Sequence, residues 1–382
     1  MKIKSFAAIA VSLVLAFSLC ACKEEQQSGV GLDVDIDLSE DAKIEYEGEY
    51  TKELEGTTIN VFNWGEYIPD GTEGSLDINK AFTELTGIKI NYTTYESNEA
   101  MYSKLKGGGV SYDIIIPSDY MIERMKKENM LQKIETSTLS NYKYIDERYK
   151  NLYFDKNNEY SVPYCVGMVG LIYNSAMISE KPDSWGVMWD ERYNDNILNF
   201  NNPRDAFAVA QLYMGYDLNS SDYSQWDSAA EKLKEQKSIL QSYVMDEIFQ
   251  KMEDGEAAIA PYYAGDFLLM KDNNPDLEFV YPKEGVNIFV DSICIPKSSK
   301  NYKAAMMYIN FLLEPEIALE VAEYVMYASP HTGVVQNDDY SLKDNEYLYP
   351  DENNYPKVQY FHDISEETRM YYERLWEDVK LH

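Results

Sequence analysis

The sequence predicts an α/β fold, on the basis of alternating strands and helices, the chain length and the apolar content. Apolar runs typical of buried strands alternate with segments whose apolar residues recur at helical spacing, which favours a largely parallel sheet covered by helices. The chain has 382 residues, enough for two domains of ordinary size. Hydrophobic residues make up 45% of it, so a substantial core can form.

The elements of the first half follow from residue periodicity and from helix stop signals. Short apolar runs predict strands, while Gly87 and the glycines at 107–109 are typical helix ends. The predicted elements are strands at 57–62, 88–92 and 112–117 and helices at 75–85, 98–106 and 119–131.

The second half starts with a passage from one domain to another, at 160–165 and 166–173. A loop and short helix follow, in which Trp185 and Trp189 are expected to be core residues. Further predicted elements are helices at 206–213, 223–236, 244–253, 303–313, 314–325 and 371–380 and strands at 257–263, 277–281 and 287–296.

The charge and the metal-binding residue types exclude several classes of function. The formal net charge of −32 argues against nucleic acid and anionic lipid surfaces as partners and suits cations, although solubility alone accounts for most of it. The histidines His331, His362 and His382 are scattered. Cys165 and Cys294 stand in apolar contexts that favour buried free thiols, the alternative being a disulfide between them. We therefore expect neither a metal site nor a cofactor.

The N-terminus is predicted to be a targeting segment rather than part of the fold. Lys2 and Lys4 precede an apolar stretch, 6–19, that is too short to span a bilayer. The run from Leu19 to Cys22 resembles the bacterial lipoprotein box, which implies that 1–21 are removed and that Cys22 is lipidated. We expect 22–55, which are acidic and polar, to form a flexible tether that holds an extracytoplasmic domain at the membrane.

A cluster of aromatic and acidic residues follows the first predicted strand. Trp64, Glu66 and Tyr67 arrive within four residues, at the carboxyl end of a strand, where α/β sheets commonly bind ligands. An aromatic face and a carboxylate together attract an organic ammonium ion. The alternative is a tryptophan and a tyrosine packed in a loop beside a surface glutamate.

Similar clusters recur later in the chain, each near the end of a predicted element. Ordinary explanations exist for several, because Ser118 and Asp119 can cap a helix and Asp205 can pair with Arg204. Asp291 is harder to dismiss, since it interrupts an apolar strand, where an unpaired carboxylate is costly. The clusters are Pro117 to Tyr120, Asn201 to Asp205, Tyr262 to Phe267, Phe289 to Ser292, and Tyr327 to Pro330.

From 57 to nearly the C-terminus, the sequence closely resembles the spermidine/putrescine-binding proteins of bacterial polyamine ABC importers. The resemblance lies in a set of motifs spread over the whole globular part. They are NWGEY at 63–67, YESNEAMYSKLK at 95–106, Tyr112-Asp113 to Pro117-Ser118, SVPY at 161–164, Ser184-Trp185, YPKEG at 281–285, Asp291-Ser292 and INFLL at 309–313.

This resemblance implies a two-lobed, type II periplasmic-binding-protein-like fold with two crossover strands and a ligand cleft. Lobe one would be 57–165 plus 291–333, and lobe two 166–290 plus 334–382. It implies a monomer without enzymatic activity that delivers putrescine or spermidine to permease subunits. The ligand-binding residues it implies are Trp64, Glu66, Tyr67, Ser118, Tyr120, Asp205, Tyr263, Asp266, Phe289, Asp291 and Tyr327.

The chain departs from the spermidine-binding pattern at several of these positions. Asn202 replaces an acid, Tyr263 and Phe289 stand where tryptophans are common, and Phe361 is nearest to an absent glutamine. Asp266 is more like the putrescine-selective branch. The length of the preferred amine therefore stays open between putrescine and spermidine.

Three alternatives remain beside this reading. A ferric-ion binding protein of the same fold would use the adjacent Tyr262 and Tyr263 as ligands. A secreted glycosidase would use two carboxylates in an aromatic cleft, although no catalytic motif is recognisable. A purely adhesive surface protein would need its acidity only for solubility.

Overall fold

The computed structural model describes residues 45–351 and 353–382. The predicted signal peptide at 1–21, the predicted lipidation of Cys22 and the predicted tether up to residue 44 lie outside these ranges. None of the helices within them combines the length and apolar composition that a membrane crossing requires.

Two sheets organise the described residues. The first has three parallel strands in the order β2-β1-β3, and the second has seven in the order β10-β9-β4-β7-β5-β6, with β8 also paired to β4. The strands are β1 (Thr58–Trp64), β2 (Lys89–Tyr95), β3 (Ile114–Ile115), β4 (Val162–Asn174), β5 (Ile197–Phe200), β6 (Leu240–Val244), β7 (Ile259–Tyr263), β8 (Leu277–Val280), β9 (Val286–Ile293) and β10 (Val358–Gln359).

Helices cover both sheets, and short 3-10 helices occupy several connections. The α-helices are α1 (Ile78–Thr86), α2 (Asn98–Gly107), α3 (Asp119–Lys127), α4 (Pro203–Tyr213), α5 (Tyr223–Lys237), α6 (Glu247–Glu253), α7 (Ala264–Asn273), α8 (Tyr302–Leu312), α9 (Pro315–Val325), α10 (Thr332–Val335) and α11 (Glu366–Leu381). The 3-10 helices are Thr72–Gly74, Thr136–Thr138, Ser140–Tyr144, Glu147–Tyr149, Trp185–Trp189 and Glu191–Tyr193.

The antiparallel pair β4 and β9 links the two sheets. All thirteen residues of β4 are buried, and β9 runs beside it with Asp291 opposite Cys165 and Phe289 opposite Gly167. Beyond the pair, β9 reaches the first sheet through isolated bridges from Asp291 and the following cysteine. These two strands are the crossovers of the two-lobed fold.

Most predicted elements are present, with differences at the edges. The strand predicted at 112–117 is reduced to β3, and the helix predicted at 119–131 ends at Lys127. The elements missed by the sequence analysis are β5, β6, α7, α10 and β10. The helix α7 follows β7 without a break and has no side-chain cap, so no start signal marks it.

The core is continuous through the larger sheet and its helices. Trp185 and Trp226 are fully buried, whereas Trp189 is only partly buried. Cys165 and Cys294 are free and buried, as their apolar sequence contexts predicted. Neither thiol takes part in a disulfide among the described residues.

The segment 45–55 packs on the domain, although it was expected to belong to the flexible tether. The rings of Tyr46 and Tyr50 lie 5.6 and 5.8 Å from the ring of Phe311 in α8. Aromatic side chains within this acidic stretch bury apolar surface, which the overall composition of the stretch concealed. A flexible tether therefore does not describe this part of the chain.

A buried carboxylate holds the same segment in place. Glu314, just before α9, accepts hydrogen bonds from the backbone amides of Glu47 and Gly48, both at 2.7 Å. It also accepts from the hydroxyl of Tyr50 at 2.5 Å and from Nδ2 of Asn141 at 2.7 Å. Since Glu314 is 1% exposed, these four donors replace its water shell.

We expect Glu314→Ala to lower the free energy of unfolding by about 2–4 kcal/mol, because its buried donors lose their acceptor. Urea denaturation measures this change. The matched control is Glu316→Ala, at an exposed position two residues away, which should stay within about 0.5 kcal/mol of the parent protein. Equal effects of the two substitutions would contradict the anchoring role.

Candidate functional site

The carboxyl ends of β1, β2 and β3 bring the first aromatic cluster together. The indole Nε1 of Trp64 donates to the carbonyl of Ile116 at 2.9 Å, and the indole packs against Tyr95 at 4.7 Å. The hydroxyl of Tyr95 donates to the same carbonyl at 2.6 Å. Trp64 is therefore held in one orientation with part of its ring exposed.

Asp291 lies where β9 meets the first sheet, opposite Ser118. The hydroxyl of Tyr67 donates to its Oδ2 at 2.8 Å, while its Oδ1 is buried and has no hydrogen-bond partner among the described residues. Burial raises the pKa of Asp291 to about 6, partly offset by the hydrogen bond from the Tyr67 hydroxyl. A buried carboxylate with a free oxygen is a ready acceptor for an ammonium ion.

Ser118 and Asp119 do not behave as ordinary helix caps. The side chain of Ser118 makes no cap hydrogen bond to α3 and instead accepts from Nδ2 of Asn98 at 3.0 Å. Asp119 is fully buried and accepts from the amide of Val290 in β9 at 3.2 Å. Both residues thus tie the start of α3 to the neighbourhood of Asp291.

A second carboxylate, Asp205, lies at the start of α4 on the larger sheet. Its Oδ2 accepts from Nδ2 of Asn202 at 2.8 Å and from the hydroxyl of Tyr263 at 3.1 Å. Burial raises the pKa of Asp205 to about 7, partly offset by the Tyr263 hydrogen bond. Asn202 thus stays beside the carboxylate, as a donor rather than an acid.

Arg204 does not neutralise Asp205, although the two are adjacent in sequence. Its guanidinium turns away and donates to Oδ1 of Asn219 at 2.9 Å. It also lies over the ring of Phe361, 4.6 Å from the ring centroid. The surface pair considered as an alternative is therefore not formed.

A third carboxylate, Asp266, stands in the first turn of α7. Its Oδ2 accepts from the hydroxyl of Tyr327 at 3.0 Å. Burial raises the pKa of Asp266 to about 7, again partly offset by the tyrosine hydrogen bond. Each of the three carboxylates therefore accepts one hydrogen bond from a tyrosine hydroxyl, and Asp205 accepts a second from Asn202.

The rings beside these carboxylates form one row. Tyr67 and Tyr327 are 5.8 Å apart, Tyr327 and Phe289 6.2 Å, and Phe289 and Tyr263 5.6 Å. We call this row and the carboxylates it connects the amine slot. Its members are Tyr67, Tyr263, Tyr327, Phe289, Asp205, Asp266 and Asp291.

No lysine or arginine neutralises the slot within the described ranges. Lysines close in sequence to α3, Asp266 and Phe289 form their ion pairs elsewhere. These pairs join Lys126 to Asp155, Lys271 to Glu278 and Lys283 to Asp183. Three carboxylates along a row of ring faces can each take one ammonium group, and the rings can take the methylenes between them. The arrangement suits a slim aliphatic cation with several charges.

Three other predicted residues lie at the margin of the slot or outside it. Glu66 is exposed, has a φ of 49°, and accepts from the hydroxyl of Tyr324 at 2.9 Å. Tyr120 donates to Glu99 at 2.9 Å and meets Phe361 edge-to-face at 6.1 Å. Trp64 packs on Tyr95 and shares no hydrogen bond with the three carboxylates.

Sequence reasoning missed several residues that shape the site. Tyr164 donates to the carbonyl of Tyr67 at 2.8 Å and packs against its ring at 5.7 Å. Asn98 binds both the amide and the hydroxyl of Ser118. Both lie inside motifs quoted for the family resemblance, SVPY and YESNEAMY, which was the available signal.

The ferric-ion alternative needs two free phenol groups. Tyr262 is 3% exposed and packs against Phe200, and burial raises its pKa. The hydroxyl of Tyr263 is engaged by Asp205. The two rings are in contact, with centroids 4.9 Å apart, but neither phenol is free. No group of three or more His, Cys, Asp or Glu that could hold a metal is found among the described residues.

A cavity of about 400 Å³ lies beside β4 and β9. Its wall includes Met168 and Ile288, whose side chains point away from Phe289 and Asp291 because successive strand residues alternate. Tyr327 reaches it from the slot side. None of the three slot carboxylates lines it, but Gly167 and Gly265 border it as well.

Comparisons with known proteins place the chain among binding proteins. Residues 111–356 match the family described as bacterial extracellular solute-binding protein. The chain is 35% identical over 318 residues, 83% of its length and 90% of the relative's, to the spermidine/putrescine-binding periplasmic protein of Salmonella typhimurium.

Two solved structures are similar over almost their whole length. One is a Listeria monocytogenes protein described as a candidate spermidine/putrescine ABC transporter, with a TM-score of 0.79, 36% identity and coverage of 85% of this chain and 99% of that one. The other is the spermidine/putrescine ABC transporter substrate-binding protein PotD of Streptococcus pneumoniae, with a TM-score of 0.72, 33% identity and the same coverage. Both have the fold described above.

Proposed function

Because this chain belongs to the bacterial extracellular solute-binding proteins, in the group of the spermidine/putrescine-binding proteins, we propose that it captures putrescine or spermidine outside the cytoplasm and delivers it to an ABC importer permease. The proposal assigns binding and release, without any bond being made or broken. It includes a monomeric protein held at the membrane through a lipid on Cys22.

One observation carries the choice of ligand. Asp205 and Asp291 are buried and Asp266 is partly buried, each accepts a hydrogen bond from a tyrosine hydroxyl, and one row of rings joins them. Buried carboxylates without a cationic side chain are costly, and an ammonium ion removes that cost. A diamine would use two of the three carboxylates, and a triamine could use all of them.

The proposed contacts follow from this geometry. Asp205, Asp266 and Asp291 hold ammonium groups, while Tyr67, Tyr263, Phe289 and Tyr327 border the carbon chain. Trp64, Glu66, Ser118 and Tyr120 complete the rim. Asp266 favours the shorter diamine, because it adds a carboxylate near the middle of the row.

We also assign the lobes that close on the ligand. Lobe one is 57–165 plus 291–333 and carries Asp291, and lobe two is 166–290 plus 334–382 and carries Asp205 and Asp266. Rotation about β4 and β9 would bring the two sets of carboxylates together around the amine. The hydrogen bond from Tyr327 to Asp266 runs between these two proposed lobes and supports the assignment of both residues to one cleft.

Thermal unfolding of the purified protein with a panel of amines tests the proposal. Putrescine and spermidine at 1 mM should each raise the midpoint by roughly 5 °C or more, because a ligand that binds only the folded state stabilises it. Butylamine, with the same carbon chain as putrescine but one ammonium group, should shift it far less.

Two results would count against polyamine capture. One is an unchanged midpoint with both polyamines. The other is a shift with ferric ion, accompanied by visible absorbance, which would favour the Tyr262 and Tyr263 alternative. Turnover of a candidate sugar would instead revive the glycosidase.

A further inference from the structure

A glycine lies directly beneath the aromatic floor of the amine slot. Gly167 in β4 is the register partner of Phe289 in β9, so both project from the same face of the strand pair. A Cβ added to Gly167 would lie 2.1 Å from Cζ of Phe289 and 2.7 Å from both Cε atoms. The phenyl ring therefore rests in the space that any other side chain would fill.

The seated ring is part of the slot itself. Phe289 is half-buried and meets Tyr263 edge-to-face at 5.6 Å, at an interplanar angle of 87°. It also contacts Tyr327, whose ring is seated in the same manner over Gly265, where an added Cβ would lie 2.5 Å from Cδ2. The depth of the slot thus depends on how closely the rings approach these glycines.

We propose that Gly167 is a specificity-determining positioning residue, which seats Phe289 low enough for an unbranched aliphatic polyamine and no wider chain to lie over it. The inference rests on the proposed polyamine function and deepens it. It assigns the substrate class as linear α,ω-diamines and their linear homologues, without branches on the carbon chain.

A methyl group at position 167 would displace the ring of Phe289 in one particular direction. Non-bonded carbon atoms rest about 3.5 Å apart, so the ring of Phe289 would have to retreat by more than about 1 Å. The added methyl group would occupy the space next to β4, so the ring would have to move outward, towards Tyr263 and Tyr327. The slot would become shallower by nearly the thickness of a methylene group.

The same strand offers a matched control. Gly170 lies under Phe279 of β8 with the same geometry, an added Cβ being 2.2 Å from Cζ. Phe279 is a core residue, 2% exposed, and its ring packs on Phe267 rather than on the slot. Neither glycine has a positive φ, so alanine fits the backbone at both positions. The two substitutions therefore differ in which ring the new methyl group displaces, Phe289 in the slot or Phe279 in the core.

The test compares putrescine with 2-methylputrescine, which adds one branch, by calorimetry on four proteins. The parent protein should bind putrescine about tenfold or more tightly than the branched amine, the range expected for one extra carbon in a fitted pocket. Gly167→Ala should weaken putrescine binding by about tenfold or more. Gly170→Ala should lose stability but keep the parent preference, and Phe289→Ala should bring the two affinities within about threefold.

A double substitution separates positioning from general damage. In Phe289→Leu protein, adding Gly167→Ala should change putrescine affinity less than threefold, because the smaller side chain leaves room for the methyl group. If Gly167→Ala fails to fold, the Phe289→Ala comparison decides alone.

Several outcomes overturn the inference. They are an unchanged affinity in folded Gly167→Ala, a Gly170→Ala protein whose preference shifts as much, or a Phe289→Ala protein that still rejects the branched amine. A parent protein that binds neither amine would instead refute the polyamine function, which keeps the two failures distinct.

Discussion

Asp291→Asn is expected to weaken polyamine binding by about 100-fold or more, corresponding to about 3 kcal/mol. The amide keeps the shape of the side chain and can still accept from the Tyr67 hydroxyl, but it carries no charge to hold an ammonium group. Because Asp291 is 3% exposed, bulk water screens little of the lost attraction. Calorimetric titration with putrescine and spermidine measures the change.

The same substitution should not destabilise the ligand-free protein. Removing a buried carboxylate whose pKa is raised relieves a desolvation cost, so the unfolding midpoint should stay equal or rise. Asp113→Asn is the matched control, since Asp113 is 1% exposed and accepts from Ser299 at 2.6 Å and from the amide of Asn60 at 2.9 Å. It should lower stability and leave affinity intact, and full affinity in Asp291→Asn would refute the assigned role.

The affinity for polyamines should also fall steeply with acidification, by at least about 1,000-fold between pH 8 and pH 5. Burial raises the pKa of Asp205 and of Asp266 to about 7 and that of Asp291 to about 6, above their ordinary value of 3.8. Below these values each carboxyl gains a proton that an ammonium group must displace. Aliphatic ammonium groups stay charged over this range, so the titration belongs to the protein.

Stability of the ligand-free protein should change in the opposite direction. A carboxyl whose folded pKa is raised binds its proton more tightly in the folded state. Its contribution to the free energy of unfolding is therefore fully present below pH 3.8 and is lost as pH rises through 6 to 7.

Calorimetry in buffers of different ionisation enthalpy measures the protons released on polyamine binding. Asp266→Asn should make the pH dependence of affinity shallower, and a flat profile in the parent protein would contradict these assignments.

The sequence was most informative where a local signal and a chemical requirement coincide. The interruption of an apolar strand by Asp291 pointed to a paired or ligand-binding carboxylate, and the structure places Tyr67, 224 residues away in sequence, against it. Carboxyl ends of parallel strands meet at one edge, so the aromatic run after β1 was expected there. The pairing of each aspartate with a particular tyrosine depends on tertiary contacts that periodicity does not encode.

The misses have physical causes too. Strands β5 and β6 are short, and the residues of β6 are mostly only partly buried, so their apolar signal is weak. Glu66 was grouped with Trp64 and Tyr67 by spacing alone, yet its positive φ turns its side chain outward to Tyr324. Gly167 carried no signal, because its importance lies in the ring that rests on it.

The docking of Glu47 and Gly48 on Glu314 has a consequence for the proposed closure of the lobes. Any tether upstream of Glu47 would be attached to the proposed lobe that carries Glu314 and Asp291. The proposed lobe with Asp205 and Asp266 is connected to it by β4 and β9, by the chain passing from residue 333 to 334, and by contacts such as the hydrogen bond from Tyr327 to Asp266. A tether upstream of Glu47 would therefore be attached on the side of Asp291, and not directly to the segments that carry Asp205 and Asp266.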